Sequence, residues 1–334
     1  MIHRLLAPLL GLSFLLVGCQ EAGSQKQKNG NKGRTTATLP GSNGGLLDII
    51  AIADDELWEQ KSGNAFRKYF TKSQYGLPQP EPRYTVHQVD DRASTKLLRR
   101  NRNLVYLTRG EKRVSIQENV YAHPQLVVSL QAPNDNALAA LINDRQDTLR
   151  QVFRQHELAY LQKDMRPIFR DEVHPLLKKH KVSLQIPRDF DLERAKGDFI
   201  LYWKRTPEND QGIFVYFRPM PASLLEVPNQ IVPIRDSLTR KYVQASDPGS
   251  FMRTETLIKP LMTPTELAGA FTLESRGLWR TTGTIMGGSF ISYTVYDEKH
   301  DQLIYLDAFL YAPDQKKRNL MLRLEAILKT LEID

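Results

Sequence analysis

This 334-residue chain has a single cysteine, Cys19. An internal disulfide is therefore excluded, and so is a zinc site built from several thiolates. Long apolar runs are equally scarce. One, Leu5 to Val17, is too short to span a bilayer comfortably, and nothing after it approaches spanning length. The familiar catalytic signatures are missing too. No His-Glu-x-x-His pair occurs, and no Gly-x-Ser-x-Gly elbow. Gly287-Gly288-Ser289-Phe290 comes nearest to an elbow, but nothing places a histidine beside Ser289, and the glycine pair reads as a tight turn. The glycines of Gly41-Ser42-Asn43-Gly44-Gly45 precede the first strand, where a phosphate-binding loop would follow it. No metal, catalytic or cofactor constellation is expected from these patterns.

Two clusters of titratable residues have bland readings. Asp171, Glu172, His174 and His180 are the densest set of ligand types, but the histidines are six apart and do not share a helix face. They read as polar residues on an exposed connecting helix. Asp54-Asp55-Glu56 reads as the acidic start of a helix, capped by Asp54 or Asp55.

What is present is an ordinary globular composition, 41% apolar and 25% charged. The length allows a sizeable packed core and two domains. The N-terminus has export proportions: Arg4 supplies positive charge and Leu5 to Val17 the apolar stretch. Leu16-Val17-Gly18-Cys19 resembles the bacterial lipobox. That resemblance implies a diacylglycerol on the Cys19 thiol, cleavage just before it, and further acylation such as palmitate. The partner then expected is a membrane, reached through the lipid anchor. Gln20 and Glu21 make no clear surface-export signal, so the expected location is the outer membrane, facing the periplasm.

Net charge is +8, and +7 once residues 1–18 and their one arginine are gone. Outside the cytoplasm such a balance points to anionic lipid, acidic glycan or an acidic protein, and no nucleic-acid partner is expected.

The chain divides by composition. A signal peptide (1–18) and a polar tether (19–45) precede an N-terminal α+β domain (46–165), a connecting helix (166–181) and a C-terminal α+β domain (182–334). Each domain is read as a mainly antiparallel sheet packed by helices. Leu46 to Ile52 is a buried strand, and Tyr84 to Val89, Leu104 to Leu107, Val114 to Val120 and Leu126 to Leu130 complete the first sheet. A long helix starts at Pro133-Asn134, with Leu138, Leu141, Ile142, Leu149, Val152 and Phe153 on one face. In the second domain Phe199 to Trp203 pairs with Ile213 to Phe217, Ile234 to Tyr242 is a helix, and Phe271 to Trp279 is a strand. Phe290 to Tyr296 and Leu303 to Tyr311 flank a turn at Asp297-Glu298-Lys299-His300. Asp314 is expected to cap a last helix with the stripe Leu320, Leu324, Ile327, Leu328 and Leu331.

Asp54-Asp55-Glu56-Leu57-Trp58, Gly76-Leu77-Pro78-Gln79-Pro80, Arg276-Gly277-Leu278-Trp279-Arg280, Met286-Gly287-Gly288 and Tyr311-Ala312-Pro313 occur in this order. Together they resemble the Bacteroidota lipoprotein family of domain of unknown function 4837, over roughly residues 46 to 331. The resemblance implies an envelope lipoprotein and no particular activity. The layout of the second half is similar to the PsbP-like α/β/α sandwich.

Two features carry functional weight. Lys316-Lys317-Arg318 stand in the first turn of the last helix, where cations oppose the helix dipole and would suit an anion-binding site. Arg276, Trp279 and Arg280 lead into the glycine-rich stretch 281–288 and would form a recognition surface for carbohydrate or peptide. The leading functional class is a non-enzymatic binding or assembly module of the envelope, with an envelope protein or glycan as partner. A hydrolase of envelope material and a basic adaptor for anionic lipid or glycan are the alternatives.

Overall fold

Ile49-Ile50-Ala51-Ile52 is apolar without alternation, and all four residues are buried. Such a run suits a parallel sheet, whose crossovers cover both faces. The computed structural model, which describes residues 38–334 apart from 222–226, 244–248 and 284, has that arrangement. β1 (Asp48–Ile52) lies between β2 (Thr85–Val89) and β3 (Asn103–Arg109), parallel to both. β5 (Leu126–Ala132) continues the parallel set, and only β4 (Arg113–Glu118) runs antiparallel, at the edge. The expectation of a mainly antiparallel first sheet is thus corrected. Periodicity identifies strands but not their direction, which the crossovers impose.

Three helices accompany this sheet: α1 (Asp55–Glu59), α2 (Lys61–Phe70) and α3 (Asp135–Met165). The Asn134 side chain caps α3 by accepting the Ala137 N–H at 3.0 Å. The predicted stripe Leu138, Leu141, Ile142, Leu149 and Phe153 is buried, with Val152 at its margin. Phe70 stacks on Phe66 at 4.3 Å and meets Phe153 edge-on at 6.0 Å, which locks α2 to α3. Asp54 occupies the cap position of α1 without making a side-chain cap bond, so that part of the capping expectation fails. The acidic residues work sideways instead: Asp55 accepts from Gln88 and Glu56 pairs with Arg109 at 2.7 Å.

Order begins before Leu46. The Ser42 N–H donates to His123 O, the His123 N–H to Pro40 O and the Arg102 N–H to Asn43 O. The end of the expected tether is therefore docked by backbone hydrogen bonds, which need no apolar side chains. Cys19 and the rest of the expected signal and tether lie outside the described residues.

After α3 the connecting region holds a short helix, α4 (Pro175–Lys179), and a two-residue strand β6 (Val182–Ser183) that pairs with the C-terminal β15 (Glu332–Ile333). The second sheet is antiparallel throughout. Its order is β10 (Met252–Thr254), β12 (Ala270–Thr281), β13 (Gly287–Asp297), β14 (Gln302–Tyr311), β9 (Asp210–Pro219), β8 (Phe199–Arg205) and β7 (Asp191–Lys196). β11 (Leu261–Leu267) pairs with the start of β12. Helix α5 (Val227–Tyr242) begins earlier than its predicted Ile234 and carries Pro233 inside it.

The sheet residues alternate between two cores. Ile213, Val215, Ile291, Tyr293, Val295, Ile304, Leu306 and Ala308 share a core with residues of α3 and α6 (Arg318–Leu328). Phe199, Leu201, Phe214, Trp279, Phe290 and Phe309 share the other with Leu238 of α5. The second half is thus an α/β/α sandwich, and the whole chain is α+β as its sequence predicts. The larger core also takes in Ile49, Val105, Val128 and Leu130 of the first sheet, and Leu39–Asp334 is one compact unit. Among the described residues no helix is long and apolar enough to cross a membrane.

Candidate ligand-binding cavity

Arg276 is no surface residue. Its guanidinium donates to Glu325 at 2.8 Å and pairs with Glu274, whose other oxygen accepts from the Tyr293 hydroxyl at 3.0 Å. Arg154 of α3 pairs with the same Glu325. Burial works to raise the Glu325 carboxyl, but the two guanidiniums overcome it and hold the group at about 2. Glu325 thus joins Arg154 of the first half to Arg276 of the second, and Arg276 is taken up there and not in the expected recognition surface. Arg280 stays half exposed and pairs with Glu255 at 3.2 Å. Trp279, 4% exposed, lines an open cavity near the start of β13.

At the start of the last helix, where an anion site was expected, a carboxylate of the chain itself takes the backbone N–H groups. Lys317 occupies the cap position of α6, and its backbone N–H donates to Glu81 Oε1 at 2.6 Å. The Arg318 N–H donates to Glu81 Oε2 at 3.2 Å. A carboxylate from the proline-rich segment thus occupies the positive end of the dipole, and Asp314 does not cap the helix. The side chains follow suit. Arg318 donates to Pro82 O and Thr85, the Lys317 ammonium turns back to Gln315 O, and only Lys316 is exposed.

Of the titratable residues of the connecting region, Asp171, Glu172 and His174 line one open pocket and His180 lies apart. His174 caps its own short helix by accepting the Leu176 N–H, and Asp171 pairs with Arg188. His180 stacks on Phe217 at 3.9 Å, between Gln302 and Asp198.

What the sheet does build is an open cavity of about 270 Å³ near the start of β13. Trp203 of β8 stands opposite Gly212 of β9, and Gly212 stands opposite Phe309 of β14. A Cβ at Gly212 would run into the Phe309 ring. Trp279 stands opposite Gly288, where a Cβ would strike the Leu310 carbonyl oxygen and lie 3.0 Å from the Trp279 indole nitrogen. Gly212 thus lets the Phe309 ring lie across its strand, and Gly288 lets the Leu310 backbone come close. The Gly287-Gly288 pair is accordingly part of a strand, and the expected tight turn falls just before it, where Gly283 has a φ of 99°.

The rings of Trp203 and Phe309 meet edge-on at 5.1 Å, and those of Trp279 and Phe309 at 6.3 Å. Tyr311, Met252 and Met286 complete the apolar lining. The indole N–H groups of Trp203 and Trp279 are buried and have no hydrogen-bond partner among the described residues. At one side Arg205 and Asp210 face each other across the β8–β9 ladder. The Arg205 guanidinium lies 4.5 Å from the Trp203 ring and pairs with Glu193 at 2.9 Å. Burial pushes the Asp210 carboxyl up, and Arg205 pulls it part of the way back.

Comparison with known proteins separates the two halves. Residues 170–330 match a Domain of unknown function (DUF4837), and residues 42–166 match a second one (DUF8532). The second half belongs to the DUF4837 family. The sequence-level resemblance spread that family over both halves; Asp54 to Trp58 and Gly76 to Pro80 fall in the DUF8532 part. No curated protein matches the chain. Among solved structures, the Ran-binding protein Mog1p of Saccharomyces cerevisiae is similar at 8% identity, over 47% of this chain and 92% of that one, with a TM-score of 0.32. LpqN of Mycobacterium tuberculosis, involved in cell envelope biogenesis, is similar at 14% identity, over 46% of this chain and 82% of that one, with a TM-score of 0.30.

The cavity lies wholly within the DUF4837 domain, whereas Glu81, which caps its last helix, comes from the DUF8532 part. Sequence reasoning found Trp279 and missed Trp203, Asp210 and Phe309. The signal for these was a glycine inside a strand pattern at Gly212, which marks close approach of another group.

Proposed function

We propose that this protein is a binding module of the cell envelope, held at the membrane by lipid on Cys19, and that its ligand sits in the aromatic cavity of the DUF4837 domain. The observation that carries this reading is the open cavity of about 270 Å³ itself, lined by Trp203, Trp279, Phe309 and Tyr311 together with Arg205 and Asp210. An open cavity with large apolar rings and a few polar groups is the usual form of a small-molecule site. Its lining includes one carboxyl, Asp210, which favours holding a ligand over acid–base work by a carboxyl pair.

The test is a ligand-observed NMR screen of a fragment library against the full chain and against Met286→Trp, which fills the cavity from its rim. Fragments that bind the parent and lose binding in the variant support the reading. If no fragment distinguishes the two proteins, the cavity is not a binding site.

A further inference from the structure

We propose that β4 is the seam of a homodimer, in which the β4 strands of two copies pair antiparallel about a two-fold axis at Ser115. The seam lies in the DUF8532 part and does not depend on the binding reading above.

β4 forms one edge of the first sheet and pairs with β5 alone. The ladder fixes which of its backbone groups are spent. The Leu126 N–H donates to Arg102 O and the Gly110 N–H to Ala132 O, so the even residues of β5 turn toward β3. Its odd residues therefore bond β4, at Arg113, Ser115 and Gln117. The Asn119 N–H, which donates to Gln125 O at 2.9 Å, continues the same phase. The N–H and C=O groups of Val114, Ile116 and Glu118 thus point out of the sheet edge. Such an edge invites another strand, and proteins usually blunt it. Two other edge strands carry such devices: β7 has a bulge between Leu192 and Arg194, and β11 has Pro264. β4 has neither bulge nor proline.

The side chains make a second copy the fitting strand. Val114 and Ile116 stand opposite Leu130 and Val128 on the face that meets α3, yet they are 38% and 44% exposed. With Leu141 and Leu149 of α3 they line an open groove of about 430 Å³, which Lys112 also borders. Alternation puts Lys112, Val114, Ile116 and Glu118 on this one face. Outward backbone groups must meet outward groups, so a symmetric pairing sets even residues against even ones. Centred on Ser115, it sets Lys112 against the partner subunit's Glu118 and Val114 against the partner subunit's Ile116, each twice. Centred on Val114 it would set Lys112 against an isoleucine, and centred on Ile116 it would set Val114 against a glutamate. Opposite charges and apolar pairs facing across an antiparallel ladder stabilise it. Neither Lys112 nor Glu118 has an ion pair to another described residue, so both are free for this use. A foreign strand would have to match this pattern, whereas a second β4 matches it by symmetry.

The experiment is sedimentation velocity of the full chain over a range of concentrations, with reductant present so that Cys19 cannot link two copies. The expected result is a reversible monomer–dimer equilibrium. Lys112→Glu and Glu118→Lys each place two like-charge pairs at the seam and should weaken the dimer about tenfold or more, and the double variant Lys112→Glu/Glu118→Lys should recover it. Both positions are exposed, so the fold should tolerate either change. Val114→Pro removes an N–H that only the partner would use, and should abolish the dimer while circular dichroism stays that of the parent. If Val114→Pro does not fold, the charge reversals decide alone. A monomer at every concentration overturns the proposal. So does a dimer that ignores the variants, or one that the single charge reversals weaken and the double variant does not restore.

Discussion

Glu81 and Lys317 stand 236 residues apart in the chain, and the carboxylate of one takes the backbone N–H of the other at 2.6 Å. Helix α6 is therefore capped from another part of the fold, and its positive end holds a carboxylate in place of an external anion. Glu81→Ala should destabilise the protein by about 1–3 kcal/mol, because two helix N–H groups lose their acceptor where water cannot easily replace it. Glu81→Gln keeps an acceptor oxygen and should cost less. Urea midpoints of the three proteins decide the matter; equal midpoints would show the cap to be idle. Lys316→Glu, on the exposed residue of the trio, should shift stability by less than about 0.5 kcal/mol.

Glu325 is the hinge of the buried charges, paired with Arg154 and Arg276 at once. Its folded value of about 2 lies below the ordinary 4.5. A carboxyl depressed in the folded state adds stability above its unfolded value and loses it as pH falls through the folded one. The loss therefore spans roughly pH 4.5 down to 2 and is on the order of 3 kcal/mol. Glu325→Gln should be destabilised at pH 7 by about 3–5 kcal/mol, since Arg154 loses its counter-charge in the interior and Arg276 keeps only Glu274. It should also show a flatter loss of stability across that acid window. An unchanged acid slope in the variant would assign the response to other carboxyls.

Gly212 has no room for a methyl group, because Phe309 lies across it. Gly212→Ala should cost about 1–3 kcal/mol through overpacking and should shift tryptophan fluorescence as Phe309 is pushed against Trp203 and Trp279. Gly41→Ala is the control, with nothing within 4 Å of the added carbon. Matching stability for both variants would mean that the strands move apart at no cost.

The lipid anchor has its own test. Cys19→Ala should abolish incorporation of labelled palmitate and leave a precursor that still carries residues 1–18. Normal labelling of that variant, read by gel and mass spectrometry, removes the anchor from the proposed function.

Much of the local structure was legible in the residue pattern. The stripe from Leu138 to Phe153 announced α3, and alternation announced β13 and β14 with the turn at Asp297 to His300 between them. These signals are local: a helix face or a strand face is set by neighbours three, four or two residues away. Strand direction in the first sheet was readable only indirectly, from the unbroken run at Ile49 to Ile52. The candidate site was legible only in Trp279. Its flanking arginines suggested an exposed surface, yet alternation along β12 sends Arg276 to the opposite face, toward Glu325.

By itself, then, the sequence determined the α+β class, the long helix α3, and a body stabilised without disulfides, because these follow from composition and short-range periodicity. Only the tertiary structure decided that Glu81 meets the helix start at Lys317, that Arg276 joins Arg154 on Glu325, and that Trp203, Trp279 and Phe309 line one cavity. Each of those outcomes is a pairing between distant segments. Such pairings depend on strand register and on which face a helix buries, and a one-residue slip in register would send each of these side chains to the other side of its sheet.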